Sequence, residues 1–301
     1  EGLASTCVGA VACNPTRADE VYFGLLDVAF FRTCDGGRSI EYFESSYPAS
    51  NCTNLAVETR EGEETIYSVA TGRLVVSKDR GKTWSRDMSQ PPEGAELGPV
   101  TLDRFRPHLL YCGRWRSSDG GQSWQEMSGL GKGWAGQVVS DPSKQGRLYA
   151  WDTYGVQVSE DDGKTWTDVS TGIPAVHQGK RRITGLAVLG DGKVMVGSAV
   201  HGLLMSEDKG KTWRAVLRER YISALDCGPD GKTVVAAAWT PWYHEGYEAG
   251  VFVSLDGSKS WARIDENLGV TARVSAIAVD PLRAGRVWIG TSGNAVYVGQ
   301  W

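Results

Sequence analysis

Short apolar runs rich in Val, Ile, Leu and aromatic residues recur along the whole chain, broken by clusters of Gly, Asp, Asn, Ser and Pro. No stretch shows helical spacing of its apolar positions. Runs of this length bounded by turn residues predict short β-strands. They group into seven units with one grammar: a first strand, a tight turn, a second strand, a loop, a third strand, a turn, and an outer strand. The predicted strands are 8–13, 21–25, 29–33 and 41–43; then 54–58, 65–69 and 74–77; then 100–103, 109–112 and 115–117. The later units give 137–140, 147–151 and 156–159; 183–188, 194–198 and 203–206; 222–227, 234–239 and 251–254; and 274–279, 286–291 and 295–298. Hairpin turns such as Gly190-Asp191-Gly192 and Pro229-Asp230-Gly231 join first to second strands.

The turn after the third strand is a repeated phrase. It reads SKDRGKTW from Ser77, SSDGGQSW from Ser117, SEDDGKTW from Ser159 and SEDKGKTW from Ser206, with a looser SLDGSKSW from Ser254 and a worn TCDGGRSI from Thr33. Its Ser and Asp side chains can bond nearby backbone N–H groups, its Gly supplies a positive φ, and its Trp offers a large apolar face to a neighbouring sheet. The Asp positions 35, 79, 119, 161, 208 and 256 are spaced by 44, 40, 42, 47 and 48 residues. A period in the forties built of strands is the signature of a propeller blade, and 301 residues hold about seven. The expected fold is all-β: a single seven-bladed β-propeller of four-stranded blades spanning residues 1–301. Its seventh blade has no phrase, and residues Glu1–Thr6 are expected to supply the missing outer strand and close the ring.

Composition narrows the function. The net charge is −4 and no basic stripe marks a nucleic-acid surface. No apolar run approaches the roughly 18 residues of a membrane span. Residue 1 is not Met and no leader-like segment is present, which reads as a mature exported or trimmed chain. The six cysteines lack zinc-type spacing. Four fall in the first 52 residues, where Cys7 with Cys13 and Cys34 with Cys52 can clamp the closure as disulfides, in keeping with export. Asn51-Cys52-Thr53 is a formal glycosylation acceptor.

In a meander, the repeated turns and the first-to-second turns share one face. The second-to-third loops and the inter-blade connections share the other, which carries the variable lengths and is the expected working face. Mapped there are Trp134, Trp151, Trp239 and Trp242, with Tyr154, Tyr243 and Tyr247, beside Arg114, Asp152, Arg181, Arg182 and Glu245. Aromatic platforms next to Arg, Asp and Glu are how a polar site grips a sugar ring; the alternative is that these tryptophans pack between blades. Three of the four histidines, His177, His201 and His244, map to the same face and can converge on a metal ion with Glu245; the alternative is three unrelated surface histidines. No other cofactor is implied. Asp27, at the end of a buried β run, is a candidate acid or base. Glycoside hydrolysis would pair it with a second carboxylate, for which Asp152, Glu245 and Glu248 are the candidates.

The phrase resembles the Asp-box (BNR) repeat of sialidases, sortilin-type receptors and two-propeller xyloglucanases. The C-terminal stretch from Val274 to Gly299, with Val287-Trp288-Ile289-Gly290-Thr291, is similar to the closing blade of the xyloglucanases. Leu26-Asp27-Val28-Ala29-Phe30-Phe31-Arg32 is similar to the motif that opens their second propeller and holds a catalytic Asp, which implies that role for Asp27. Those enzymes work in a cleft between two propellers, each giving one Asp, whereas this chain has the length of one. Ala29 and Phe30 stand where the family has glycines. No sialidase arginine triad is assignable. A lone propeller of this kind also resembles the photosystem II assembly factors, which bind proteins. The expected function is an exported, monomeric, glycan-interacting propeller of the glycosyl-hydrolase-like class, with stacking on Trp151, Trp239, Trp242 and Tyr243. The competing expectation is a scaffold whose Arg181, Arg182, Arg218 and Arg220 dock an acidic protein.

Overall fold

The structure, a computed structural model, describes residues 7–26, 29–43, 47–49, 51–86, 88–91, 97–130, 136–218, 220–240, 249–265, 273–293 and 296–301. Among the described residues there are strands and no helix. Blade one holds β1 (Val8–Cys13), β2 (Val21–Leu25), β3 (Ala29–Thr33) and β4 (Glu41–Tyr42). Blade two holds β5 (Ala56–Arg60), β6 (Glu63–Ala70) and β7 (Arg73–Ser77), with a Val76–Ser85 bridge in the outer position. Blade three holds β8 (Val100–Leu102), β9 (Leu110–Cys112), β10 (Trp115–Ser117) and β11 (Gln125–Glu126). Blade four holds β12 (Gln137–Ser140), β13 (Leu148–Trp151), β14 (Val156–Ser159) and β15 (Thr167–Asp168). Blade five holds β16 (Ile183–Val188), β17 (Val194–Ser198), β18 (Gly202–Ser206) and β19 (Arg214–Leu217). Blade six holds β20 (Tyr221–Cys227), β21 (Val234–Trp239), β22 (Gly250–Ser254) and β23 (Ala262–Arg263), and blade seven holds β24 (Val274–Val279), β25 (Arg286–Thr291) and β26 (Val296–Gln300). Each sheet is antiparallel with its strands in chain order, so the fold is the seven-bladed β-propeller that the repeat spacing predicts.

The apolar core is a ring of interfaces. One hydrophobic cluster lies between each pair of neighbouring blades, including blades seven and one. Middle strands are sandwiched on both sides, so β17, β18 and β22 are buried along their whole length. The period of two still operates inside them. On β21, Val234, Ala236 and Ala238 face blade five, while Val235 and Ala237 face blade seven. Short outer strands such as β4, β11, β15 and β23 are exposed.

The repeated turn docks each blade onto its predecessor. In all six copies the Asp carboxylate accepts the N–H and O–H of the residue four positions on; Asp208, for instance, takes Thr212 N at 2.8 Å and Thr212 Oγ1 at 2.6 Å. The hydroxyl two positions before the Asp donates to it and accepts the N–H that lies four residues beyond the hydroxyl. That N–H belongs to the turn glycine, or to Ser258 at φ 71° in the loosest copy. The glycine is also the contact point: a Cβ on Gly121 (φ 92°) would lie 2.6 Å from Leu74 Cδ2 of the preceding blade. Each phrase's Trp then enters the cluster shared with the preceding blade, as Trp84, Trp124, Trp166, Trp213 and Trp261 all do.

The worn first copy keeps its hydrogen bonds and lacks only the Trp. Ile40 in that place is exposed, and the interface is filled from the other side by Trp288, set edge-on to Phe23 at 5.7 Å. The two blades are further joined by Asp19, which accepts Arg283 Nη2 at 2.6 Å and Arg286 Nη1 at 2.5 Å, and by Ser275 Oγ donating to Val8 O at 2.6 Å. The expected closing strand Glu1–Thr6 lies outside the described residues. The disulfide expectation is corrected, for all six cysteines are free. Cys7 and Cys13 sit at opposite ends of an extended strand, roughly 20 Å apart where a disulfide tolerates about 7 Å. Cys52 is buried beside Gly24 near the working-face end of blade one, while Cys34 follows β3 at the other end.

Two measurements check the docking account. Gly121→Ala is expected to cost about 2–4 kcal/mol in urea unfolding, combining backbone strain with overpacking. Gly62→Ala, at φ 88° with nothing within 4 Å, is expected to cost only about 1 kcal/mol. Hydrogen bonds from Thr165 and Thr212 hold the Asp161 and Asp208 carboxyls down at about 2. A depressed folded pKa stabilises above the unfolded value near 4 and is lost as pH falls toward about 2. Thermal midpoints are therefore expected to drop across that window, and Asp208→Asn to lower the neutral-pH midpoint while flattening the drop.

Candidate functional site

The face opposite the repeated turns is built from blade ends, and its best-defined part lies over blades four and five. The loop after β13 turns on Asp152, whose Oδ1 accepts Tyr154 N at 2.6 Å and Gly155 N at 3.1 Å. Burial raises the Asp152 pKa against those two bonds, the direction a general acid requires. Thr153 O then receives Arg181 N at 2.8 Å and Arg182 N at 3.1 Å, tying this loop to the connection that leads into blade five. Arg182 C=O accepts Ala199 N at 2.9 Å, so its backbone is held from both sides in the left-handed region at φ 52°. A non-glycine residue takes that conformation only where its surroundings over-determine it. Arg182 is left with an exposed side chain, and Tyr154 of the tied loop is 50% exposed with Lys180 Nζ 5.9 Å from its ring centroid.

A second cluster spans blades six and seven. Tyr221 and Trp239 are paired residues at the ends of β20 and β21, with rings edge-on at 5.5 Å. Arg273, just before β24, places its guanidinium 5.6 Å from the Tyr221 ring and 5.5 Å from Trp239. Among the described residues, Lys180, Arg182, Arg218 and Arg273 enter no ion pair. Asp152 is spent on its own turn and Asp265 is paired with Arg263. Among the described residues this face therefore sets four cations without ion-pair partners beside its aromatic rings.

Other expected site residues are placed differently. Arg114 is a structural tie, bridging Glu126 at 2.9 Å and donating to Leu130 O at 3.1 Å. Arg181 is likewise spent, donating from Nε to Ile173 O at 3.0 Å and from Nη1 to Tyr154 O at 2.6 Å. Trp151 is half-buried and packs against the cluster between blades four and five. His177 is exposed in a tight hairpin with Lys180, and His201 is partly buried in blade five. Among the described residues no group of three metal-type ligands forms. Asp27, Trp134, Trp242, Tyr243, His244, Glu245, Tyr247 and Glu248 lie outside the described residues. The sequence maps Tyr221 and Arg273 to the inter-blade connections 218–221 and 267–273 of this face without marking either as a site residue. The signal was available, since Tyr221 directly precedes the predicted strand 222–227 and Trp239 ends the predicted strand 234–239 of the same hairpin.

The geometry defines a propeller whose face opposite the repeated turns carries aromatic rings and cations, and comparison with known proteins adds relatives for it. No family model matches. The chain is similar to the xyloglucanase Xgh74A of Acetivibrio thermocellus, 30% identical over 237 residues that make up 76% of this chain and 27% of that protein. It therefore spans about a quarter of that relative's length. Among solved structures, the GH74 xyloglucanase of Xanthomonas campestris superposes with a TM-score of 0.75 at 22% identity, covering all of this chain and 44% of the other. YCF48 from Cyanidioschyzon merolae superposes at 0.69 with 15% identity and covers 96% of its own length. A further structure holds YCF48 bound to D1 peptide, at a TM-score of 0.70. These likenesses agree on the fold.

The two arginines of the blade-four loop can be separated experimentally. Arg181→Ala is expected to cost about 1–2 kcal/mol through its two backbone bonds. It should also speed amide exchange at residues 153–155 and 173–182. Arg182→Ala is expected to stay within about 0.5 kcal/mol of the parent, as an exposed side chain without partners should.

Proposed function

We propose that this chain is an exported glycan-binding propeller that uses the face opposite its repeated turns. The observation that carries the reading is the 30% identity to a xyloglucanase over 237 residues, joined to a working face where Tyr154, Trp239 and Tyr221 present aromatic surface beside cations. Binding is the role assigned. The matching stretch is a fraction of the enzyme's length, whereas hydrolysis in that enzyme class needs a pair of carboxylates. Export is part of the proposal because the ligand is a polysaccharide; the free cysteines lend it no support. A second reading, docking of an acidic protein segment, is favoured by one observation: YCF48, whose structure with D1 peptide is known, matches this chain over nearly its full length.

Calorimetric titration with xylogluco-oligosaccharides tests the choice. The glycan reading expects saturable binding that Trp239→Ala weakens roughly three- to tenfold, the worth of one ring contact. Absence of binding to any glycan on an array, together with a co-purifying protein partner, would contradict it.

A further inference from the structure

A cleft of about 490 Å³ opens at the rim of blade five and is lined by Gly172, Pro174, Val200, His201, Leu204, Trp213, Arg214, Ala215 and Arg218. Its volume falls in the range of small-ligand sites, roughly 300–1,000 Å³. It lies apart from the Tyr221–Trp239–Arg273 cluster, and its chemistry differs.

The floor is aromatic and fixed. Trp213 Nε1 donates to Val169 O of blade four at 2.8 Å, which locks the plane of a partly exposed indole. A ring held in this way meets a pyranose face at little entropic cost. The rim is cationic: the lining holds two arginines and no carboxylate. Arg218 is exposed and its side chain enters no ion pair among the described residues. Arg214 has only a long 3.8 Å approach to Glu207, both being exposed. On the same wall stands His201, whose Nε2 is buried and has no hydrogen-bond partner among the described residues.

A neutral sugar would use the indole and leave both guanidinium groups solvated and idle. A carboxylate on the sugar ring would use both features, because arginine's fork matches a carboxylate in charge and spacing. We infer that this cleft is a subsite for a uronate-bearing oligosaccharide, with the ring against Trp213 and the carboxylate on Arg218. The inference rests on the glycan reading above and adds the substrate class. An acidic peptide is the alternative occupant, and it is disfavoured because it would engage the arginines and leave the fixed indole plane of Trp213 without a ring to match.

The test is titration of the whole chain with trigalacturonate, against a neutral xylogluco-oligosaccharide, following both heat and the Trp213 indole N–H resonance. Trigalacturonate is expected to bind tighter, to shift that resonance, and to weaken as salt is raised. Arg218→Ala is expected to cost about tenfold in trigalacturonate affinity, with Arg218→Lys partly restoring it, while neutral-sugar binding is unchanged. Equal affinity for both sugars, or no effect of Arg218→Ala, would overturn the inference and leave the glycan reading standing. Failure of both sugars to bind would overturn both readings. Displacement of trigalacturonate by oligoglutamate at matched charge would assign the cleft to an acidic protein instead.

Discussion

The fold depends on one small hydrogen-bond system, an aspartate carboxylate that closes its own turn with both oxygens. It recurs six times with nearly the same distances, including in the copy whose sequence has drifted furthest. By fixing the turn, it places a glycine without side chain against the preceding blade and sends a tryptophan into the same interface. Local turn chemistry is thus converted into the spacing between sheets. A propeller has no single centre, so its stability is a sum over interfaces, and this turn sets the geometry of most of them.

Closure shows the same economy from the other side. Blade one has no tryptophan in its turn and blade seven shows no turn of this kind. Their interface is made by Trp288, by the Asp19 pairs with Arg283 and Arg286, and by Ser275 reaching the backbone of β1. All the strong constraints concentrate on the turn face and in the interfaces. The opposite face is left with loops of unequal length, a strained but clamped Arg182, and cations that enter no ion pair among the described residues. A surface organised in this way is available for a ligand because its residues are not needed for the ring.

Much of the fold was legible because its signals are local. Turn residues and apolar runs placed β1, β2, β3, β12, β16 and β17 at their observed bounds, and the phrase spacing counted the blades. What the chain could not reveal was which polar groups are already engaged. Arg114 and Arg181 look as free in sequence as Arg182 and Arg218; only the backbone carbonyls they reach distinguish them. Trp151 and Trp239 likewise end corresponding strands, yet one packs between blades and the other meets a tyrosine and an arginine. The cysteine pairing failed for a related reason. An even count suggests bridges, but a six-residue strand holds Cys7 and Cys13 apart.

The central claim is a division of labour between the two faces. Hydrogen–deuterium exchange with and without a mixture of neutral and acidic plant-wall oligosaccharides tests it most directly. The account predicts new protection in residues 152–155, 173–182, 199–201 and 213–221, with the turns at 77–84, 117–124 and 159–166 unchanged. Ligand-dependent protection confined to those turns would contradict it.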